Sequence, residues 1–333
     1  MVAVSVLIPA FNVEDTLAAA LRSVERQTER DWECVLVDDG STDGTVRVAR
    51  TFAARDARFR LVSVAHAGIV AALNQGLGEC RGELVARMDA DDLMSRRRLE
   101  RQRAALRGNP HVAGVGCHVR LFPRRGMTDG LRAYERWLSA IETATDVARE
   151  AFIECPLAHP TLMLRRELLR GARYRDVAWP EDYDLVLRLL AAGHELGMVP
   201  ERLLHWRDSA GRLSRSSPRY ALGAFVACKA EYLARGFLRD TESYLLWGFG
   251  DTGKALAAAL AQHGKQPSAI VELHPGRVGQ LIRGVRVIPP ETLPSLARQP
   301  LLVSVSGLTP RSEIRTALVA MGLQETRDFI CCA

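Results

Sequence analysis

In the N-terminal part of the chain the spacing of apolar residues switches repeatedly between strand and helix periods. Residues 2–8 form a β-branched apolar run stopped by Pro9 and by the loop residue Asn12. Residues 16–27 then space Leu17, Leu21 and Val24 at i, i+4 and i+7, one face of a helix. Residues 33–37 read as a second buried strand. It runs into Asp38-Asp39-Gly40-Ser41-Thr42-Asp43-Gly44, a dense set of turn and cap formers. A helix from about Thr45, a strand at 60–64, a helix at 68–77 and a strand at 83–88 continue the pattern. Repeated βα units predict a parallel sheet covered by helices on both faces. Ligands of such sheets bind beyond the carboxyl ends of the strands, here the loops after Ile8, Val37 and Met88.

From about Val112 the alternation loosens. Residues 112–122 are strand-like, 134–153 helix-rich, 180–192 helical, 195–199 and 202–206 strand-like, and 220–235 a closing helix. A fresh strand, glycine-rich turn and helix begin at Tyr244, and further strands follow at 285–288 and 301–304. That restart puts a boundary in the linker 235–242. It predicts two α/β domains, residues 1–235 and a small Rossmann-like unit at 236–333.

Composition narrows the class. The 333 residues are 47% hydrophobic and 25% charged, globular proportions that exclude wholesale disorder, collagen and coiled coil. No uncharged apolar run reaches the roughly 18 residues of a membrane span. The apolar N-terminus is too short for a signal peptide and has no basic leader, so a cytoplasmic location is expected. Net charge is +6, yet among the 45 basic residues only Lys229, Lys254 and Lys265 are lysines. The part from Gly236 onward has ten basic and eight acidic residues, so the charge is spread rather than gathered. That argues for a coding bias and against a nucleic-acid-binding face. The cysteines Cys34, Cys80, Cys117, Cys155, Cys228, Cys331 and Cys332 show no C-x-x-C pair and no zinc-like spacing. They are expected as reduced core filler.

Met88-Asp89-Ala90-Asp91-Asp92 puts three carboxylates at the end of a buried strand. Carboxylates this close repel unless a cation lies among them. Oxygen ligands suit Mg²⁺ or Mn²⁺ shared with substrate phosphates. The stretch also reads as an acidic turn capping a helix that begins near Ser95. Asp38 and Asp39 end a second strand, where Thr42 or Asp43 reads as an N-cap. The two acidic loops fall on one edge of one predicted sheet, which joins them into a single site.

These blocks carry a resemblance. Val4-Ser5-Val6-Leu7-Ile8-Pro9-Ala10-Phe11-Asn12, then Val35-Leu36-Val37-Asp38-Asp39-Gly40-Ser41-Thr42-Asp43-Gly44-Thr45, then Met88-Asp89-Ala90-Asp91-Asp92 together resemble glycosyltransferase family 2. Asn74-Gln75-Gly76 stands at the family's place between the second and third blocks, and the resemblance covers roughly residues 2–235. It implies a GT-A fold and an inverting transfer from a nucleotide-diphosphate sugar, with Mg²⁺ or Mn²⁺ as cofactor. By the resemblance, Pro9, Asp38 and Asp39 meet the base of a uridine or related nucleotide, with Asp39 its partner. Asn74 belongs to the same nucleotide-sugar side. Asp89 and Asp91 match the D-x-D, whose last acid binds the metal bridging the diphosphate, and Asp92 is a substitute. The family's Pro after the D-x-D is missing from Ser95-Arg96-Arg97-Arg98-Leu99, which predicts a slightly different helix entry.

Trp179-Pro180-Glu181-Asp182-Tyr183-Asp184-Leu185 resembles the family's E-D motif at a helix start. By that likeness Asp182 is the base that takes the acceptor hydroxyl's proton, and Glu181 is its acceptor-side neighbour, raising its pKa by repulsion. The stretch also fits an acidic first helical turn after a proline. His159, in Ala158-His159-Pro160-Thr161, stands at the family's place for acceptor or phosphate contact. Arg207, Arg212 or Arg215, near a loop the family closes over the nucleotide, could grip the diphosphate. The missing Q-x-x-R-W motif favours transfer of a single sugar over polymerisation. The expected donor is a UDP-sugar and the acceptor a glycan or lipid-linked glycan of bacterial-type surface polysaccharide. A membrane-borne acceptor would bring the chain peripherally to the inner face of the membrane.

In the C-terminal part, Gly248-Phe249-Gly250-Asp251-Thr252-Gly253 follows a strand and opens a helix at 254–262, the context of a G-x-G-x-x-G fingerprint. Glu272 closes the next strand, where a ribose-binding acid would sit. These residues would suit NAD(P) or another nucleotide. As a P-loop the stretch fails, with Ala255 where Ser or Thr is needed. The unit otherwise reads as an accessory or assembly domain. Two further readings of the whole chain are an NAD(P)-dependent oxidoreductase acting through this unit and a non-catalytic nucleotide-sugar sensor.

Overall fold

The computed structural model describes residues 2–209, 211–212, 217–296 and 298–333. The chain packs as two compact units. The first is Met1–Val147, Pro156–Val177 and Ala192–Arg212, and the second is Ala148–Cys155, Ala178–Ala191 and Leu213–Ala333. The second unit thus takes in three stretches that precede residue 235, besides the residues the pattern assigned to it.

The first unit is built on an eight-stranded sheet. Its strands are β1 (Val4–Ala10), β2 (Trp32–Asp39), β3 (Phe59–Val64), β4 (Leu84–Arg87), β5 (Leu93–Met94), β6 (Val112–Phe122), β7 (Met163–Arg165) and β8 (Glu195–Arg207). They lie in the order β3-β2-β1-β4-β7-β6-β8-β5. The β3-β2-β1-β4 half is parallel, as the βα alternation predicts. β7 runs antiparallel to both β4 and β6, and β5 antiparallel to β8. Every residue of β1 and β2 is buried, which explains their near-continuous apolar runs. β1 passes through Pro9 rather than stopping there. Its pairing with β4 ends at Leu7, so the missing N–H of Pro9 falls beyond that ladder. Helix α1 (Glu14–Glu25) buries Leu17, Ala20, Leu21 and Val24, each such side chain worth about 1–3 kcal/mol. α2 is Thr45–Arg55, α3 Ile69–Glu79, α4 Arg98–Gly108, α5 Asp129–Ser139, α6 Ala144–Glu150 and α7 Arg166–Ala172.

Two expectations are corrected here. β8 is one strand where the sequence suggests two. It slips register against β6 between Cys117 and His118, and the slip absorbs Pro200, which has no N–H to offer the ladder. Nor does the acidic stretch 89–92 cap a helix near Ser95. β5 intervenes, tied to β8 through Leu93↔His205, and α4 begins only at Arg98.

The second unit carries a six-stranded sheet of β9 (Ser243–Trp247), β10 (Gln266–Val271), β11 (Leu281–Ile282), β12 (Val285–Ile288), β13 (Leu301–Val303) and β14 (Phe329–Cys331). The order is β11-β12-β10-β9-β13-β14, parallel except for the β11–β12 hairpin. Tyr244 and Leu246 of β9 point to one apolar layer with Leu256 and Leu260. Leu245 and Trp247 point to the other, with Ile314, Leu318 and Phe329. α8 (Glu181–Ala191) and α9 (Leu222–Arg235) belong to this unit, as do α10 (Asp251–Ala261) and α11 (Leu308–Ala320). Among the described residues no helix is long and apolar enough to cross a membrane.

Candidate active site

In the first unit, the carboxyl ends of β1 and β2 are knitted together by the loops that follow them. Asn12 donates its backbone N–H to Ser41 Oγ (2.9 Å), and its side-chain oxygen accepts from Thr42 N (2.8 Å). Asp43 serves two helices: Oδ1 accepts from Thr45 N at the start of α2 and Oδ2 from Glu14 N at the start of α1. Asp38 and Asp39 are buried at this edge. Asp38 Oδ1 accepts from Ser41 N at 3.3 Å. Asp39 accepts from Ala67 N and Gly68 N, both at 2.9 Å, and its Oδ2 lies 2.9 Å from His66 Nδ1. The His66 ring stacks on exposed Phe11, with centroids 4.2 Å apart. Pro9 is buried just beneath, paired with Val37.

Beyond β4, one ligand oxygen from each of Asp89, Asp91 and Asp92 lies within 4.8 Å of the others. Asp92 is fully buried. Its Oδ1 accepts from Arg207 N at 2.7 Å, while its Oδ2 has no hydrogen-bond partner. Burial, then the charges of Asp89 and Asp91, push the Asp92 carboxyl well above the ordinary carboxylate value. Burial and then Asp89 also raise Asp91, against the opposing charges of Arg207 and Arg212. Arg207, at the end of β8, anchors this loop. Its Nε donates to the Asp91 carbonyl at 2.8 Å, and its guanidinium lies over Phe122. Arg212 stacks over Trp206 and lies 3.9 Å from Asp208. Arg215 lies outside the described residues.

Behind the acids stands a buried arginine that sequence reasoning passed over. Arg87 forms an ion pair with Asp89, though its buried Nε and Nη1 complete no directed hydrogen bond. Its charge, after burial, holds the His159 imidazole well below 6.5, so the ring is neutral near pH 7. His159 Nε2 lies 3.0 Å from Tyr174 Oη, and Asn74 clasps the Tyr174 backbone at both ends of its amide (2.8 and 3.0 Å). Asn74 and His159 therefore work together as supports around Tyr174. The signal that could have found Arg87 was available: a charge inside a strand expected to be buried requires a partner.

In the second unit, three acids open α8, and they are not alike. Buried Glu181 accepts Tyr220 Oη at both oxygens (2.9 and 2.8 Å). Buried Asp184 accepts from Tyr232 Oη (2.6 Å), Trp179 Nε1 (3.0 Å) and Arg188 Nε (3.2 Å). Asp182, partly exposed, bonds the Tyr183 N–H through Oδ1 at 2.8 Å. Also in this unit, Gly248 has φ +90°, and a Cβ on Gly253 would come within 2.4 Å of Gly248 O, whereas Gly250 faces open space. Glu272 is tied to Arg277 at 3.2 Å.

Residues 5–171 match glycosyl transferase family 2. The chain belongs to that family. This glycosyltransferase is 33% identical over 236 residues to EpsE of Bacillus subtilis, itself assigned as a glycosyltransferase, a match covering 68% of this chain and 82% of EpsE. It is 28% identical over 249 residues to the amylovoran biosynthesis glycosyltransferase AmsE of Erwinia amylovora, covering 73% and 91%. Its fold is that of S. aureus TarS 1–349, solved with UDP-GlcNAc (TM-score 0.58, 17% identity, 78% of this chain and 72% of TarS). The Pyrobaculum calidifontis mannosyltransferase PcManGT, solved with GDP-Man and Mn²⁺, is similar at TM-score 0.50 and 23% identity, over 78% of this chain and 69% of that one. The GT-A architecture expected from the sequence is thus the one observed, with a second small sheet in the C-terminal part.

Proposed function

We propose that this glycosyltransferase is metal-dependent and inverting, and moves one sugar from a nucleotide-diphosphate sugar to a glycan or lipid-linked acceptor. The observation that carries the reading is the Asp89, Asp91 and Asp92 cluster at the carboxyl edge of the sheet, with one fully buried oxygen left without a partner. Hard oxygen donors in that arrangement fit Mg²⁺ or Mn²⁺. When bound, the ion would neutralise charge on the departing diphosphate. Asp38, Asp39 and Pro9 frame the base side of the pocket, and the stacked Phe11–His66 pair offers an aromatic face. The structures of TarS with UDP-GlcNAc and UDP support a UDP-sugar, although the PcManGT donor is GDP-Man. AmsE, named for amylovoran biosynthesis, supports a role in surface polysaccharide.

In the reaction, the acceptor oxygen attacks the anomeric carbon as the bond to the diphosphate oxygen breaks. The acceptor's proton passes to the Asp182 carboxylate, and the nucleoside diphosphate leaves. Asp182 is the half-buried acid of its turn, whereas Glu181 and Asp184 are buried. Arg212, stacked over Trp206, would contact the diphosphate. The Asp182→Asn variant should lose transfer and still bind UDP; unimpaired turnover would sink the assignment.

The glycines of the second unit favour an additional reading of that unit alone. Gly248 and Gly253 meet the steric demands of a dinucleotide fingerprint, and Gly250 leaves room for a pyrophosphate. Thermal-shift screening with NAD(H) and NADP(H) tests it, and no stabilisation by either removes it.

A further inference from the structure

Three carboxylates crowd the strand end, but one already has a positive partner. The Arg87 side chain is 6% exposed and meets Asp89 Oδ1 in an ion pair, the only one reaching the three acids among the described residues. Arg87 cannot swing to solvent. It extends from β4 into the interior, and its own carbonyl accepts Arg98 Nη2 at 2.7 Å. Arg98 is itself buried and bonded to Gln102 Oε1 at 2.9 Å. Asp91 and Asp92 have no such ion pair among the described residues, although Arg207 and Arg212 act on Asp91 at longer range. Asp92 offers a buried oxygen without a partner, and the carbonyl of Asp91 is pinned by Arg207, which fixes that residue's backbone.

We propose that Arg87 holds Asp89 out of the metal's ligand set, so that a divalent cation is taken by Asp91 and Asp92. The proposal rests on the metal-dependent reading above. A cation on Asp89 would sit beside a guanidinium that has no route of retreat, and like charges at contact distance in a buried setting are costly. The ion pair therefore removes one of the three carboxylate charges that a cation would meet at contact distance, while Arg207 and Arg212 offset Asp91 at longer range. That favours modest metal affinity in the free enzyme, with donor phosphates supplying further oxygen ligands. Arg87 is in this sense a positioning and affinity-setting residue. Buried Tyr174 and His159 both feel its charge.

Titration of the full chain with Mn²⁺ alone, following the free-ion EPR signal, tests the proposal. The wild type should bind one Mn²⁺. Asp89→Asn should leave its Kd within about threefold, whereas Asp91→Asn and Asp92→Asn should each weaken it about tenfold or more. Arg87→Met should tighten binding about tenfold by releasing a third carboxylate, and the Arg87→Met/Asp89→Asn pair should return it to the wild-type value. Should Arg87→Met not fold, the three single Asp variants still decide. Asp89→Asn weakening Mn²⁺ as much as Asp91→Asn overturns the proposal while leaving metal dependence intact. No Mn²⁺ binding by the wild type, with or without UDP, overturns the metal-dependent reading itself.

Discussion

Two acidic stretches, Asp89-Ala90-Asp91-Asp92 and Glu181-Asp182-Tyr183-Asp184, look much alike as sequence but differ in what surrounds them. At the helix start, Glu181 and Asp184 are buried against phenol and indole donors, with Arg219 3.9 Å from Glu181 and Arg188 3.2 Å from Asp184. At the strand end, the acids face one another, and a buried oxygen of Asp92 is left without a donor. A carboxylate surrounded by hydroxyl and N–H groups is finished structure. One surrounded by other carboxylates is the arrangement a divalent cation would satisfy. Acid density alone does not distinguish the two; partner chemistry does.

The largest effect that would break this contrast concerns Asp91. Asp91→Asn should reduce transfer by about a thousandfold or more, measured as nucleotide release, with an unchanged melting curve. An Asp91→Asn enzyme of near-normal turnover would put the strand-end acids in the same structural class as Asp184. The converse change sharpens the contrast from the other side. Asp184→Asn removes the charge that three donors share and should cost about 3 kcal/mol in denaturant unfolding, without altering Mn²⁺ affinity. Tyr220→Phe removes the one hydroxyl shared by both oxygens of buried Glu181 and should cost about 1–2 kcal/mol by the same measurement. A Tyr220→Phe protein as stable as the wild type would mean that Glu181 is not held by this clasp.

A smaller effect concerns His159. Burial and Arg87 depress its pKa, so below 6.5 the unfolded chain takes up a proton that the folded chain refuses. Stability contributed by this residue is therefore present above about pH 6.5 and lost as pH falls, with a slope of at most about 1.4 kcal/mol per pH unit. His159→Asn should flatten the dependence of unfolding free energy on pH between 5 and 7 (about the window set by an ordinary histidine). An unchanged pH profile would mean that His159 is not buried neutral.

The parallel half of the first sheet was legible because β1, β2 and β4 are buried along their whole length and the strands are separated by helical periods. The acidic edge was legible for the same reason, since strand ends fix where loops fall. What the sequence did not reveal was employment across long separations. Asn74 clasps Tyr174, a hundred residues away along the chain, and Tyr220 reaches back to Glu181. No local pattern encodes either pairing. The short strands β5, β7 and β14 also escaped notice, because two or three residues carry no period. Arg87 could have been found, since a charge in a buried strand always needs an answer, and here Asp89 supplies it.

The central claim is that the strand-end acids hold the donor through a metal, and UDP binding with and without Mn²⁺ tests it most directly. By isothermal titration, Mn²⁺ should tighten UDP binding to the wild type about tenfold or more, and should leave Asp91→Asn unaffected. Equal UDP affinity with and without Mn²⁺ in the wild type would contradict the account.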